Sequence, residues 1–542
     1  MSNLSNASVW NNLIKNNSQF WKNKKIIAKH GPRVLIATSL GGYDHATILE
    51  STLAVALTLR GANIDILLCD KFLPACQMTK IAKISPGEIS KKGQLRICET
   101  CLKDGRDIFQ PLKLPIHFYS QLISKKEAEY SRKIAYTVPI DKIPRFKFKG
   151  LSVGEHALAG TLRYFATGDL KSEPLGGSVL RRFLDGAMRT IFVIKYLLQK
   201  KTYDAVCFHH GIYVPQGIIG EVCRQKGIRI VNWNPAYRKH TFIFSHHNSY
   251  HHTMISEPVG DWENIKLTDT LRGKIISYLK SRQTGLYDWI WFHNKLQTKN
   301  SNIYTKIGID KNKPVIGLLT NVTWDARLHY KSVAFPDMFD WITTTINYFS
   351  KRPDIQLVIR IHPAEINGLI PSRQPIFPQI KKVFPKLPSN IQLVSADSIL
   401  STYAIMEKCN AVIIYNTKTG IELASLGLPI IVAGEAWIRN KGFSLDISSK
   451  TEYLKILNKL PLGKKLSKLQ KSRALKYAFH FFFRRMIPLP FIESPKKFKF
   501  RLNLSSLKKL LPGNYKGLDI ICDGILFNRP FIYRAEIYND PL

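Results

Sequence analysis

The sequence predicts an α/β protein with two domains, each a parallel sheet covered by helices, and three observations support this fold class. Apolar runs of strand length alternate with segments that carry apolar residues at helical spacing. The alternation stops in a polar stretch rich in Lys and Asn, at residues 297–313, and then restarts. The chain of 542 residues is also long enough to bury more than one core. We therefore expect two domains joined by a linker at residues 297–313.

The first domain is expected at residues 31–296, after a flexible arm at residues 1–30 that is rich in Asn, Ser and Lys. Its opening order of strand, glycine turn, helix and strand is that of a βαβ unit in a Rossmann-like domain. Residues 124–173 have weak periodicity and many charges, and we interpret them as an insertion or a cap. The expected elements are a strand at 34–37, a helix at 46–60, a strand at 64–69, a helix at 183–199, a strand at 205–208, a helix at 216–226 and a strand at 228–233.

The second domain is expected at residues 314–455, with the same alternation of strands and helices. A basic, aromatic C-terminal extension follows at residues 456–542, and its last apolar segment, 519–533, predicts a helix that crosses the domain junction. The expected elements of the second domain are strands at 315–320, 355–361, 391–394, 411–415 and 430–433, and helices at 338–349 and 420–425.

Charge and composition narrow the class of protein. The 80 Lys and Arg residues against 39 acidic residues give a net charge of +41, which favours polyanionic partners such as nucleic acid, anionic lipid or phosphorylated substrates. No apolar run approaches the roughly 20 residues that cross a bilayer. Eight cysteines are too few for a disulfide framework in a chain of this length, and no signal peptide is visible, so we expect a cytoplasmic protein.

A strand-to-helix turn at residues 415–422 offers groups that bind phosphate. The hydroxyls of Thr417 and Thr419 supplement backbone N–H groups, and Gly420 permits close approach of a diphosphate. Glu422, just inside the helix, can accept hydrogen bonds from ribose hydroxyls. The alternative is that a threonine caps the helix and that Glu422 only complements the helix dipole.

Two other strand ends of the second domain carry polar side chains. Arg360 and His362 stand at the end of one predicted strand, where His362 can donate to a phosphate or a base carbonyl. Thr320 and Asn321 follow another strand and can contact phosphates. A lone histidine is more often a packed or surface residue, so the prediction for His362 depends on the turn at 415–422.

Together these motifs resemble a known enzyme family. The strand-end His362-Pro363, the Asn416-Thr417-x-Thr419-Gly420-x-Glu422 turn and a later Gly-x-Pro before a strand resemble bacterial GT-B glycosyltransferases of the capsule polysaccharide synthesis group. That resemblance implies two Rossmann-like domains facing a central cleft and chemistry with no obligatory metal or cofactor. It also implies that His362, Thr417 and Thr419 hold the nucleotide phosphate, as in relatives that use cytidine nucleotides. Asn416-Thr417 stands here where a Ser-Ser or Ser-Thr pair is common.

The resemblance implies a nucleotide-sugar donor in the second domain and an acceptor in the first, a surface polysaccharide or a lipid-linked glycan. Arg360, Asn321 and Asn416 would then support the donor side. One rival within the enzyme class transfers a polyol phosphate from a cytidine diphosphate donor. A nucleic-acid-binding protein is a second rival, but no nucleic-acid-binding motif is present and we expect no such partner.

In the first domain the resemblance directs attention to a base that takes the acceptor proton. Asp44 is the first candidate and His45 the second, since both follow the glycine turn of Gly41 and Gly42, which we place on the acceptor side. Asp44 could instead be a helix cap. His209-His210, after another predicted strand, is a rival base or acceptor site.

Four cysteines have a spacing that partly matches a zinc site. Cys69, Cys76, Cys98 and Cys101 form a C-x6-C…C-x2-C pattern, of which the second pair has the spacing of zinc knuckles. A structural zinc is one interpretation, and ordinary buried free cysteines are the other.

The C-terminal extension predicts a membrane surface as a partner. Residues 459–509 contain fifteen Lys or Arg and one acidic residue, Glu493, interleaved with phenylalanines. Basic residues are attracted to an anionic leaflet and aromatic residues insert at its interface. We therefore expect a peripheral protein on the inner face of the plasma membrane, unless the phenylalanines belong to a helical core.

Overall fold

The structure, a computed structural model, describes residues 5–292, 302–325, 328, 330–463, 465–496 and 499–538. The chain forms two compact units. Unit 1 comprises Met1–Phe165, Asp169–Thr253 and Arg485–Tyr533, and unit 2 comprises Ala166–Gly168, Met254–Arg484 and Arg534–Leu542.

The strands of the described residues, in chain order, are β1 (Arg33–Ser39), β2 (Asn63–Leu68), β3 (Ile116–Phe118), β4 (Ala205–His209), β5 (Arg229–Pro235), β6 (Thr241–His246), β7 (Val315–Leu319), β8 (Gln356–Arg360), β9 (Ile391–Val394), β10 (Ala411–Ile414), β11 (Ile430–Val432), β12 (Leu445–Asp446), β13 (Ile487–Pro488), β14 (Ile492–Lys496) and β15 (Lys499–Leu502).

The α-helices of the same residues are α1 (Asn6–Asn16), α2 (Ser18–Ala28), α3 (Asp44–Leu59), α4 (Pro86–Lys92), α5 (Leu95–Phe109), α6 (Lys125–Thr137), α7 (Val153–Phe165), α8 (Gly176–Lys200), α9 (Gln216–Gln225), α10 (Tyr250–Ser256), α11 (Asp269–Ser281), α12 (Ile303–Ile307), α13 (Met338–Phe349), α14 (Ala364–Asn367), α15 (Ile376–Val383), α16 (Thr402–Met406), α17 (Thr419–Ser425), α18 (Lys450–Leu457), α19 (Lys468–Phe479), α20 (Lys516–Phe527) and α21 (Ala535–Tyr538). A π-helix at His480–Arg485 continues α19.

The sheet of unit 1 has the strand order of a Rossmann domain. Its strands run β13-β6-β5-β4-β1-β2-β3, and the five strands from β5 to β3 are parallel. Counted along the chain, this is the order 3-2-1-4-5. β6 and β13 extend the sheet in antiparallel pairing. The parallel strands are buried on both faces, and this is why they appear in the sequence as continuous apolar runs.

Unit 2 repeats this architecture with a sheet in which every pairing is parallel. Its order is β12-β11-β10-β7-β8-β9, which is 3-2-1-4-5-6 when the strands are counted from β7 and the sheet is read from its β9 edge. The core side chains of β7, β8 and β10 are completely buried beside α13. The predicted fold class, an α/β protein with two Rossmann-like domains, is confirmed.

The N-terminal residues differ from the expected flexible arm. α1 and α2 bury Trp10 and Trp21, whose indole N–H groups donate to Ser51 Oγ at 2.9 Å and to the carbonyl of Leu112 at 2.8 Å. The apolar residues Trp10, Leu13 and Ile14 lie on one helix face. Their spacing outweighs the polar composition that suggested an arm.

Residues 124–173 and the linker also have a defined place. α6 and α7 pack on α8 inside unit 1, so most of the predicted insertion belongs to the core of that unit. Of the linker, residues 297–301 lie outside the described residues, and α12 follows them.

The C-terminal extension is part of both cores, which corrects the prediction of an aromatic membrane anchor. Phe479, Phe481, Phe482 and Phe483 are at most 1% exposed in unit 2, and Phe491 and Phe500 are buried in unit 1. α20 packs against α3, β4 and β13 within unit 1 instead of crossing a junction. None of the helices in the described part of the chain has both the length and the apolar character that crossing a bilayer requires.

Candidate functional site

Each sheet has one switch point, where the strand order reverses and the carboxyl ends of two neighbouring strands leave a crevice. In doubly wound sheets, ligands bind at this point. In unit 1 the switch point lies between β1 and β4, and in unit 2 between β7 and β10. Most of the predicted site residues follow these four strands or their neighbours.

The switch point of unit 1 holds a cluster of aromatic side chains. His45, on the first turn of α3, and His209, the last residue of β4, place their Nε2 atoms 3.3 Å apart. The ring of Tyr43 lies 4.5 Å from that of His45 and 5.3 Å from that of His209, centroid to centroid. Trp233, on β5, packs 4.8 Å from His209. The structure therefore brings together two residues predicted from separate motifs.

The histidines of this cluster are neutral at pH 7. Burial, with a smaller contribution from Lys80 for His45 and from Arg163 for His210, lowers the pKa of both histidines to about 3. Burial also lowers the pKa of His209 well below its usual value. His210 and Gly211 both have positive φ, +68° and +77°, and this backbone is costly for the histidine. These neutral imidazoles have the free lone pair that a general base needs, and a pKa of about 3 makes them weak bases.

A buried carboxylic acid, Glu50, is linked to the cluster by hydrogen bonds. The backbone N–H of His209 donates to Thr38 Oγ1 at 2.8 Å, and the Thr38 hydroxyl donates to Glu50. Trp233 Nε1 donates to the same Glu50 oxygen at 3.0 Å. Burial raises the pKa of Glu50 to about 8, so this group is mainly protonated at pH 7. We did not predict Glu50, and its signal in the sequence is an acidic residue inside the apolar helix α3.

Asp44 and the preceding glycines lie outside this cluster. The Asp44 side chain is exposed on the first turn of α3, where an acid complements the helix dipole. A Cβ on Gly41 would come within 2.1 Å of the Cys101 carbonyl, and one on Gly42 within 3.1 Å of Met78 Cε. Close packing against α5 thus explains Gly41, and the acceptor-side roles of both glycines stay predictions.

The four cysteines line one small cavity but give the zinc prediction no support. Cys69, Cys76 and Cys98 are buried, Cys101 is partly exposed, and all are free thiols. Burial raises the pKa of Cys69 and of Cys98 to about 12, so in the absence of a metal ion both thiols are protonated at pH 7, and the structural zinc stays a prediction. Within the described ranges, no three His, Cys, Asp or Glu side chains are arranged to hold a metal ion.

The switch point of unit 2 is lined by hydroxyl, amide and imidazole groups. Asn321 Nδ2 donates to Asn416 Oδ1 at 2.8 Å, which joins the ends of β7 and β10. The backbone N–H of His362 donates to Thr320 Oγ1 at 3.0 Å, which joins the end of β8 to them. Thr417 Oγ1 lies 3.3 Å from Thr419 Oγ1. Four of the predicted donor-side residues, together with His362, thus lie around one crevice.

His362 has a defined tautomer when neutral. The backbone N–H of Ala364 donates to its Nδ1 at 3.0 Å, so the ring proton is on Nε2. That atom is therefore a hydrogen-bond donor, as a phosphate oxygen requires. Gly420 is buried, and a Cβ there would meet Ile414 and Ile438 at 2.7 and 2.8 Å, so packing explains this glycine.

Arg360 binds its own unit instead of pointing to the crevice. The guanidinium donates to the carbonyls of Ser395 and Ser398 and to Thr402 Oγ1, the last at 3.3 Å. Burial lowers the pKa of Arg360 to about 10, and the group remains charged at pH 7. These bonds tie β8 to the segment after β9, and a role for Arg360 toward the leaving group stays a prediction.

Glu422 lies in a buried ionic network. Lys418 Nζ is 2.8 Å from one carboxylate oxygen, while Arg282 Nε is 3.1 Å from the other, to which the Tyr403 hydroxyl also donates. Arg282 in turn pairs with Asp288. Burial alone would raise the pKa of Glu422, but Arg282 and Lys418 lower it to about 2. A ribose would have to share this carboxylate with three protein groups, and its ribose role stays a prediction.

Comparisons with known proteins find similar structures but no similar sequence. No protein family profile matches the sequence. No curated protein matches it either. The structure is similar to KpsC, a β-Kdo 2,4-transferase of Thermosulfurimonas dismutans, with a TM-score of 0.32 and 10% identity over 51% of this chain and 79% of that chain. It is also similar to a glycosyltransferase of Rickettsia africae, with a TM-score of 0.27 and 10% identity over 92% and 100% of the two chains. A third similar structure is the UDP-GlcNAc 2-epimerase of Neisseria meningitidis, with a TM-score of 0.24 and 10% identity over 82% and 93%.

Proposed function

We propose that the protein is a glycosyltransferase that moves a sugar from a nucleotide-sugar donor to a glycan acceptor, either a surface polysaccharide or a lipid-linked glycan. The observation that carries the proposal is the pair of Rossmann switch points with complementary chemistry. One presents neutral imidazoles that accept a proton, and the other presents donors for a phosphate.

The donor nucleotide is assigned to unit 2. His362 Nε2 donates to a phosphate oxygen, and the hydroxyls of Thr417 and Thr419 add two further donors at the same crevice. The amide of Asn321 is held in place by Asn416. These groups stabilise the negative charge that grows on the leaving nucleotide, and we propose that they do so without a metal ion.

The acceptor is assigned to unit 1, with His45 as the base. When His45 Nε2–H donates to His209 Nε2, the lone pair of the His45 ring lies on Nδ1, and no described residue bonds to that atom. The acceptor hydroxyl gives its proton to Nδ1 as its oxygen bonds to the anomeric carbon of the donor sugar. The bond from that carbon to the phosphate oxygen breaks, and the nucleotide leaves with the electron pair. The exposed Asp44 is the second candidate.

Association with an anionic membrane surface is part of the proposal, and it depends on charge alone. Phe479, Phe481, Phe482, Phe483, Phe491 and Phe500 are buried, and Phe498 lies outside the described residues, but the net charge is +41 and basic residues dominate positions 459–509. We expect binding to vesicles that contain phosphatidylglycerol, little binding to neutral vesicles, and release at high salt. Equal binding to both vesicle types would contradict this part.

The test of the donor site is a thermal-shift screen of the full chain against UDP, GDP, CMP and CDP compounds. A ligand of the folded state raises the melting temperature by mass action. We expect one nucleotide to do so in the wild type and in His30→Asn, which changes an exposed histidine. His362→Asn should lose the shift, and a shift retained in His362→Asn would remove the donor assignment.

The activity itself is tested with the sugar conjugate of that nucleotide and a glycan acceptor. Mass spectrometry of the product separates a transferred sugar from a transferred polyol phosphate. A product that carries the added mass of a polyol phosphate would replace the proposal with the rival transferase.

A further inference from the structure

Two cationic side chains lie beside the histidine cluster of unit 1 without an ion-pair partner. Arg163, on α7, is 8% exposed, and Lys80, in the segment between β2 and α4, is partly buried. Neither forms an ion pair with any residue that the structure describes. By contrast, the buried Arg282 of unit 2 is paired with Glu422 and Asp288. Buried charge without a counter-charge is costly.

The contacts of Arg163 leave its positive charge uncompensated. It donates from Nη1 to the carbonyl of Gln77 at 2.8 Å and from Nη2 to the Tyr43 hydroxyl at 3.3 Å. Its guanidinium carbon lies 5.1 Å from the centroid of the Tyr213 ring. These partners are neutral, and two N–H bonds use only part of the five that an arginine offers.

The positive charge of Lys80, like that of Arg163, has no counter-charge among the described residues. Burial, together with like-charge repulsion from the nearby Arg163 and Lys83, lowers the pKa of Lys80 to about 8. Lys80 is also close enough to His45 to lower the pKa of that imidazole. An anion placed between Lys80 and Arg163 would relieve both effects.

Two polar atoms next to these cations also have no partner. Gln77 Oε1 and His210 Nδ1 are buried and form no hydrogen bond with a described residue. Gln77 Nε2 lies 3.4 Å from the Tyr43 hydroxyl, and the rings of His210 and Tyr213 are 4.8 Å apart, so both atoms belong to the neighbourhood of Arg163. Buried polar atoms are almost always hydrogen-bonded, so a ligand with hydroxyl groups fits this place.

We propose that Lys80 and Arg163 bind an anionic group of the acceptor, a sugar carboxylate or a phosphate, while Gln77 and His210 bind its hydroxyl groups. That this ligand is the acceptor rests on the proposed function, whereas the existence of the anion site does not. The two cations would thus select an acidic glycan over a neutral one. The planar guanidinium offers a bidentate contact to a carboxylate or a phosphate, and the ammonium adds a point charge.

The test measures the affinity of the full chain for glucuronate, glucose and inorganic phosphate by calorimetry. We expect glucuronate, phosphate or both to bind, and glucose to bind at least about tenfold more weakly, since it lacks the charge-assisted bonds. Glucuronate without phosphate identifies a sugar carboxylate as the source, and phosphate without glucuronate identifies a phosphate. Failure of both anions to bind overturns the proposal.

Variants locate the binding. Lys80→Gln should weaken anion binding about tenfold, whereas Lys92→Gln, the same change at an exposed lysine of α4, should leave it unchanged. Arg163→Lys tests the second cation, and Lys80→Gln still decides if the buried arginine variant fails to fold. Wild-type affinity in Lys80→Gln overturns the proposal.

The outcome for the anion site can be separated from that for the proposed function. His362→Asn should lose nucleotide binding and keep glucuronate or phosphate binding. If no nucleotide binds the wild type but anion binding still depends on Lys80, the proposed function fails and the anion site stands.

Discussion

The two switch points share a strand order and differ in almost everything that fills them. The crevice of unit 1 is surrounded by imidazole and aromatic rings with two unpaired cations, whereas that of unit 2 is lined by threonine hydroxyls and asparagine amides. In unit 2 the carboxylate of Glu422 neutralises Arg282 and Lys418, while Arg163 and Lys80 of unit 1 form no ion pair with a described residue. The strand order thus determines where a ligand binds, and the side chains at the strand ends determine what is done to it.

The largest expected effect separates proton transfer in unit 1 from binding in unit 2. His45→Asn should lower kcat by about a hundredfold or more, the range of a lost general base, with the nucleotide Kd unchanged. The measurement is product formation with saturating donor, together with calorimetric titration of the nucleotide.

Asp44→Asn is the matched comparison, because it changes the neighbouring candidate base without touching the histidine pair. Loss of turnover in Asp44→Asn with normal turnover in His45→Asn would make Asp44 the base.

The next effect concerns the stability of unit 2. Glu422→Gln leaves Arg282 and Lys418 without their shared counter-charge, which should cost about 3–5 kcal/mol of unfolding free energy. Urea unfolding followed by circular dichroism gives this value. Glu407→Gln, at an exposed position of the same unit, should cost much less. A small loss in Glu422→Gln would show that the network does not need this carboxylate, which favours its ribose role.

The third effect is a pH dependence that belongs to unit 1. The folded pKa of His45 and His210 is about 3, against an ordinary value of 6.5, so below pH 6.5 the unfolded chain binds protons that the folded chain does not. Their contribution to stability is complete above pH 6.5 and is lost as the pH falls toward 3, at about 1 kcal/mol per histidine per pH unit. Glu50, with a raised pKa, has the opposite pH dependence, and its contribution to stability is lost as the pH rises toward 8.

A variant measures the contribution of one histidine to this pH dependence of stability. His210→Asn keeps a residue that tolerates the positive φ and removes one titrating group, so its stability should fall less between pH 6.5 and pH 5.5 than that of the wild type. Unfolding free energies at both pH values test this. An unchanged slope would mean that His210 is protonated in the folded protein.

The smallest expected effect tests the assignment of the donor nucleotide to unit 2. Thr417→Val removes one hydroxyl from the crevice, which should weaken nucleotide binding by about tenfold or less, the value of one hydrogen bond, without changing kcat. Thr451→Val, at an exposed position of α18, is the control. If both variants bind the nucleotide like the wild type, Thr417 only stabilises its turn.

The nine strands expected from the sequence match observed strands to within two residues at each end, because parallel strands that are buried on both faces form continuous apolar runs. The strands β3, β6 and β12 to β15 were not predicted. The predicted strand at 391–394 matches β9, and that at 205–208 is one residue shorter than β4. The N-terminal helices were not predicted, because their polar composition concealed a narrow apolar stripe around Trp10. The buried phenylalanines of the extension were assigned to a membrane surface for a similar reason, because amino-acid composition does not indicate whether protein or lipid covers a residue.

The candidate site was predictable only where a residue follows a strand directly. His45, His209 and His362 were found in this way, because strand ends are the usual place of ligands. Glu50, Lys80 and Arg163 were missed because their roles come from contacts between distant segments. Arg163 and Tyr43, for example, are 120 residues apart in the chain. No local pattern reports such a contact.

The return of the chain to unit 1 after residue 484 has a consequence for synthesis. β13 pairs with β6, and α20 covers α3 and β4, so the first unit to begin is completed by residues made long after its other parts. The sheet of unit 2 is translated in one uninterrupted stretch and can close earlier. During translation, the early strands of unit 1 therefore keep an apolar surface exposed until the C-terminal residues are made. A nascent chain arrested before residue 485 would be expected to bind chaperones.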